Sequence, residues 1–406
     1  MQNAKCKMQN VSFAFCILHS MKLFFLHLLA MIARVCVRPA NQTIRHVLIL
    51  KPDALGDLLL ATPALRRLRA GLPEARITAL VGPWSRVIWA ANPDLDALLD
   101  LPFPGFNRTS NTRPHLLRPY WLMLRYAVLL RRSKYDAALL LRDDHWWGAA
   151  LVALAGIPRR IGHAHPLCAP FLTDALLYDP AEHVSGQSQD VVKKLLESAL
   201  KSIPAVRNPT PSSQLRFAPG PTAHVWAKAW ITTNLVPGER FVAIHPGASG
   251  PTKAWPPERW AALADALAER GLRIVLTGGP AEADLAAQVA ALMRHPALSV
   301  AGATGIGQLA ALLSRAALVV GGDTGPLHIA VSQGVPTIHL FGPSDPGRFG
   351  PWGNPAQNIV LRAGLPCSPC SSFDICPRHT DPAECMDRIA LATVLRAADV
   401  LLSQGM

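Results

Sequence analysis

Charge is scarce in this chain, and acid is scarcer than base. Only 17% of its 406 residues are charged while half are apolar, which excludes a disordered or fibrous protein. Asp and Glu number 27 against 40 Lys and Arg, a formal excess of +13. That excess suits phosphorylated substrates, anionic lipid or nucleic acid, and serves equally as plain solubilising charge. No nucleic-acid recognition motif accompanies it, so no nucleic-acid partner is expected. No segment repeats at a fixed period, which excludes a solenoid. No clean spanning segment is present either. The one long apolar stretch, Val11 to Val37, is interrupted by His19, Lys22 and His27, and a spanning helix needs about 20 apolar residues.

What is present is enough chain for two domains. Residues 1–44 read as an extension unlike the rest. Lys5 and Lys7 give a basic start, but no A-x-A cleavage site follows. A start placed ahead of Met21 or Met31, a membrane-associating helix and a cleaved signal all remain open. Cys6, Cys16, Cys36 and Cys168 are scattered as in a reducing compartment. Cys367, Cys370, Cys376 and Cys385 are clustered, and their spacing fits either a structural metal site or free thiols.

From His46 a βα rhythm begins. HVLIL (46–50) and RITALV (76–81) are buried strands flanking a helix expected over Asp57–Arg69. Strands over 135–141 and 159–162 continue it, with a helix over 148–155 between them. Arg, Tyr, Trp and Leu interleave over 113–134, as in a helix that lies in a membrane interface or packs on the sheet with its arginines in water. After the Pro- and Ser-rich stretch 202–221, read as a linker, the rhythm restarts. Strands over 241–245, 273–277, 317–321 and 336–341 each precede a Gly- or Pro-bearing loop. The expected fold is α/β, two Rossmann-like doubly wound domains facing a cleft. Residues 45–201 form the first, 222–386 the second, and 387–406 a final helix.

In such sheets ligands bind beyond the carboxyl ends of the strands. Gly321-Gly322-Asp323-Thr324-Gly325 runs straight into a helix, so its backbone N–H groups can hold a diphosphate. Asp323 or Thr324 can equally be a helix cap. Lys253, near Ser249 in the loop after His245, suits phosphate neutralisation or simply solvent. Glu282 can accept bonds from a ribose or favour its helix start. Asp57, after Gly56, is either an N-cap or a base held ionised by the helix dipole.

The stretches KPDALGDLLLATPALRRL (51–68), HPGASGPTKAWPPERW (245–260), GGDTGPLHIA (321–330) and LFGPSDPGRFGPWG (340–353) together resemble glycosyltransferase family 9, the lipopolysaccharide heptosyltransferases. The resemblance implies the GT-B fold, with acceptor on the first domain and nucleotide-sugar donor on the second. It implies inverting transfer without a required cofactor, usually from ADP-heptose to a phosphorylated lipid-linked saccharide. Matched by position, Asp57 corresponds to the catalytic base. Ser249, Lys253, Thr324 and Gly325 correspond to phosphate contacts, Asp323 to a sugar contact, and His328 to a helix position near the donor. Glu282 is a looser match to the ribose ligand. Arg142-Asp143-Asp144 departs from the small polar stretch expected there. Such an enzyme would work in the cytoplasm, peripheral to the inner membrane and in contact with its anionic surface. A nucleotide-sugar epimerase of the same fold and a non-catalytic, metal-stapled binding protein are the alternatives.

Overall fold

The computed structural model describes residues 13–41, 43–105, 117–200 and 214–403. Two six-stranded parallel sheets carry them. The first holds β1 (His46–Lys51), β2 (Arg76–Val81), β3 (Ala97–Asp100), β4 (Ala137–Leu140), β5 (Arg159–His163) and β6 (Asp174–Leu176), in the order β3-β2-β1-β4-β5-β6. The second holds β7 (Phe241–His245), β8 (Arg273–Leu276), β9 (Leu298–Ser299), β10 (Leu318–Gly322), β11 (Thr337–Leu340) and β12 (Asn358–Leu361), in the order β9-β8-β7-β10-β11-β12. Each therefore has the doubly wound order of a dinucleotide-binding fold. The strands are short and apolar on both faces, as sheets covered by helices on both sides require.

The helices of the first half are α1 (Phe13–Val35), α2 (Leu55–Leu60), α3 (Thr62–Gly71), α4 (Arg118–Arg132), α5 (Trp146–Leu154) and α6 (Val184–Leu200). Those of the second are α7 (Pro221–Asn234), α8 (Pro257–Ala268), α9 (Ala283–Leu292), α10 (Ile306–Leu313), α11 (Gly325–Ser332), α12 (Pro346–Phe349), α13 (Glu384–Asp387) and α14 (Leu391–Ser403). Alternation along β1 sorts the layers. Leu48 and Leu50 pack with α1, α4 and α5, whereas Val47 and Ile49 pack with α3 and α6. The second cluster runs on, without a break, to Val319 of β10 and Leu327 of α11, so one apolar core joins the halves.

The single helix expected over 57–69 is two. Pro63 has no N–H to continue α2, and Thr62 donates instead to the Leu59 carbonyl at 2.7 Å. Residues 202–213 of the expected linker lie outside the described residues. Beyond them the chain is tied down early, Arg216 N donating to Thr62 Oγ1 at 3.0 Å, and Pro221 opens α7 rather than closing a linker. The terminal helix begins at Leu391, not Asp387, because Arg259 draws the Ile389 carbonyl and the Asp387 carboxylate aside, each at 3.0 Å. Among the described residues no helix is long and apolar enough to cross a membrane.

Candidate active site

Strand order reverses between β1 and β4 in the first sheet and between β7 and β10 in the second, and such switch points are where open α/β sheets bind ligands. The loops leaving those four strands meet. Gly56, in the first turn of α2, lies against the start of α11. A methyl placed on it would fall 3.1 Å from His328 Cδ2 and 3.5 Å from Gly325 Cα. A methyl on Gly325 would fall 3.4 Å from Leu55 Cβ. Two glycines thus let the backbones of the two halves touch.

On the second sheet's side of that contact, Thr324 stands at the N-cap of α11 in an extended conformation with no capping bond from its side chain. Its hydroxyl oxygen is buried and without a partner among the described residues. An N-cap threonine ordinarily satisfies a helix N–H; this one does not, and in the first turn Pro326 has no N–H while Leu327 N donates to the Thr324 carbonyl at 3.2 Å, which leaves the Gly325 N–H beside the hydroxyl. Beside it Lys253 Nζ lies 2.6 Å from Asp323 Oδ2, both side chains about nine-tenths buried. Lys253 also donates to Ser249 Oγ at 3.3 Å and to the Asp323 carbonyl at 3.2 Å. It is therefore not a solvated surface lysine. Its ammonium lies over the Phe373 ring, 4.9 Å from the centroid, and the Phe373 loop is anchored by Thr252 Oγ1 donating to the Ser372 carbonyl at 2.8 Å.

On the other side lies a buried charge network. Lys51 Nζ is 2.9 Å from Asp53 Oδ2 and donates to the Leu141 carbonyl at 2.8 Å. Arg142 ion-pairs with both Asp53 and Asp144. Burial pushes the Asp53 carboxyl up, but Lys51 and Arg142 outweigh it and hold the group below the usual carboxylate range. Among the described residues Asp57 has no such ion-pair partners. Burial first, then the charge of Asp53, raises it from 3.8 to about 6, against the pull of Lys51 and Arg142, with Asp323 adding to the rise. The expectation that a helix dipole holds Asp57 firmly ionised is thus corrected, because desolvation outweighs the weak dipole of a six-residue helix. Nor is Asp57 the N-cap, which is Ala54.

Glu282 caps its own turn, its Oε2 accepting from Gly279 N at 2.7 Å and lying 3.7 Å from His245 Nε2. A methyl on Gly247 would collide with it, so it lies across the loop that follows β7. His328 is buried against Gly56, and burial lowers it to about 4, so it is neutral. Of the residues singled out in the sequence, Asp57, Ser249, Lys253, Asp323, Thr324, Gly325 and His328 converge here, with Glu282 at the far side of the His245 loop.

Cys367 and Cys370 are exposed, whereas Cys385 is buried beside Gly342, and its thiol is raised by burial first and then by the nearby Cys370, Cys367 and Cys376. Among the described residues no group of three His, Cys, Asp or Glu side chains is placed to hold a metal ion. The sequence reading missed Lys51, Asp53 and Phe373 and took Arg142 only for a departure. Charged residues at the end of an apolar strand were the available signal. A second seam contact was missed too: His183 stacks on Trp352 with centroids 4.6 Å apart and meets the Gly350 carbonyl at 3.1 Å.

The family model for glycosyltransferase family 9 (heptosyltransferase) matches residues 123–375, more than half of the chain. The chain belongs to glycosyltransferase family 9. Lipopolysaccharide heptosyltransferase 1 of Pseudomonas aeruginosa is 36% identical over 337 residues, covering 80% of this chain and 86% of its own. A solved family 9 glycosyltransferase from Veillonella parvula superposes with a TM-score of 0.71 at 25% identity, covering 89% of this chain and 97% of that one. The Escherichia coli ADP-heptose lps heptosyltransferase II superposes at 0.67 and 22% identity, covering 89% and 99%. The family 9 chain is a glycosyltransferase of GT-B fold, similar to enzymes of lipopolysaccharide biosynthesis, and the epimerase and binding-protein alternatives fall away.

Proposed function

We propose that this glycosyltransferase moves a heptose from ADP-heptose to a hydroxyl of a phosphorylated, lipid-linked saccharide, with inversion. The names of its relatives supply the sugar and the pathway; the site supplies the chemistry. Asp57 takes the acceptor's proton as that oxygen attacks the anomeric carbon. The new carbon–oxygen bond forms as the bond to the diphosphate breaks, and ADP leaves with the electron pair. Lys253, the Thr324 hydroxyl and the Gly325 N–H at the start of α11 neutralise the departing charge. Ser249 steers Lys253, Asp323 faces the sugar, and Glu282 receives the ribose. Neutral His328 shapes the donor side without adding charge.

The observation that carries this reading is the Gly56–Gly325 contact, which brings the Asp57 carboxylate to the helix start that holds the Thr324 hydroxyl and the Gly325 N–H. A base near 6 is stronger than one at 3.8 and is still mostly ionised at neutral pH. Because the acceptor is lipid-linked, the enzyme works in the cytoplasm against the anionic inner leaflet. Its halves close over the donor to exclude water. Calorimetric titration of ADP, UDP and GDP into the protein and its Lys253→Ala variant tests the donor half. Binding of ADP alone, weakened in the variant, is expected; equal indifference to all three nucleotides sinks the proposal.

A further inference from the structure

Two helices of the first domain are apolar on both sides. In α1, Leu26, Ala30 and Ala33 enter the core, while Phe24, Leu28, Met31 and Val35 form a second stripe that is exposed, Val35 at 88%. In α4, Met123, Ala127 and Leu130 enter the same core, and Leu117, Trp121, Leu124 and Val128 are exposed at the same spacing, Leu117 at 79%. A surface helix normally carries one apolar stripe, facing inward. Both helices flank α5, and Arg131 ties their ends by donating to the Cys36 carbonyl at 2.6 Å. Their outer stripes therefore leave the body from one helical layer.

The charge on this layer has one sign. No Asp or Glu occurs between residues 1 and 52 or between 101 and 135, although the chain holds 27. Arg118, Arg125 and Arg132 are exposed along α4, and Arg125 lies 5.5 Å from the centre of the Trp121 ring. Lys22 and Arg34 mark the two ends of the described face of α1. A second copy of this chain would have to bury these cations against one another. An anionic bilayer instead offers acyl chains to the apolar stripes and headgroups to the arginines, with Trp121 at the level its indole favours.

We propose that α1 and α4 form a two-helix platform that lies flat on an anionic phospholipid bilayer. The inner stripe of α1 is packed on α5, so the helix lies along the surface and does not cross. The proposal rests on the lipid-linked acceptor proposed above and names the surface that meets its membrane.

The test is co-sedimentation of the full chain with vesicles, without donor or acceptor, so its outcome is independent of the ADP titration that tests the transferase reading. Vesicles of phosphatidylcholine with about 30% phosphatidylglycerol are compared with phosphatidylcholine alone, at low salt. Binding to the anionic vesicles only is expected. Reversal of Arg118, Arg125 and Arg132 to Glu should weaken it by more than about tenfold. Phe24→Ser with Trp121→Ser should weaken it as well. Reversal of Lys228, Arg240 and Arg315 to Glu, three exposed cations of the second domain, should leave it within about twofold. Absence of binding by the parent chain, or equal losses in the two charge-reversed variants, overturns the platform. So does an ultracentrifuge run in which the Ser variant turns a dimer into a monomer while vesicle binding is unchanged.

Discussion

The two sheets share one strand order, yet they fill their switch points in opposite ways. Beyond β1 and β4 the first half buries charge: Lys51, Asp53 and Arg142 lie around Asp57, which has no ion pair among the described residues. Beyond β7 and β10 the second half presents backbone and one hydroxyl, with a single lysine–carboxylate pair beside them. In the proposed transfer the first end takes the proton and the second receives the anion. A shared architecture fixes where the loops go, and the residues at the loop tips decide which half performs which task.

The sharpest way to break that division is Asp57→Asn. If the first half supplies the base, turnover should fall by about 10²–10⁴-fold while ADP binding, measured calorimetrically, stays as in the parent. Loss of ADP binding as well would merge the two roles. The parent enzyme's kcat should also fall as pH drops below about 6, because protonated Asp57 accepts nothing, and should level off above it.

Lys253→Ala addresses the other half. Removing a charge-assisted contact of this kind costs about 1.5–3 kcal/mol, so ADP affinity should fall by about 10–100-fold. The pH limb assigned to Asp57 should remain visible at saturating donor, and its disappearance would show that the two ends are not separable.

Asp53→Asn sharpens the account of why Asp57 is basic. The substitution deletes the negative neighbour and leaves Lys51 and Arg142, so the limb of the kcat profile should move to lower pH and the plateau should drop. An unmoved limb would leave burial alone responsible. The variant should also melt earlier, since breaking a buried ion pair costs about 3–5 kcal/mol.

The smallest effect expected separates the halves by acid. His245, His328 and His339 are all buried in the second half and lowered by burial, His328 to about 4. Between there and the ordinary value of 6.5 the unfolded chain binds protons that the native chain refuses, so stability falls as pH falls through that window. In the first half burial lowers His145 to about 4 and lowers His183 as well, but Asp57, raised to about 6, works the other way between 3.8 and 6. Hydrogen exchange at about pH 7 and about pH 5 should show β7, β10 and β11 losing protection ahead of β1 and β4. The reverse order would contradict the assignment of the histidines.

Much of this was legible in the residues. HVLIL, RITALV and FVAIH are strands because, past His46 and Arg76, their residues are buried throughout, and the glycines at 56 and 325 mark helix starts where the backbones come close. The edge strands were not legible. Asp174–Leu176 and Leu298–Ser299 are too short to show an apolar run, and they pair only because a sheet is already there. The network of Lys51, Asp53 and Arg142 escaped for another reason: Arg142 lies 89 positions along the chain from Asp53, and only folding makes them neighbours. The chemistry of Asp57 is likewise a property of its surroundings. A Gly-Asp pair names the carboxylate, and only burial next to Asp53 makes it a base near neutrality.

The glycine contact at the seam has a mechanical consequence. Where two bodies already touch at their backbones, relative motion becomes rotation about the point of touch, and displacement grows with distance from it. Asp57 is one residue from that point and Thr324 adjoins it on the other side, so both stay near the fulcrum. In the proposed transfer, such a rotation would move the rim farther than the reacting groups. Passage and alignment are thereby separated along one lever.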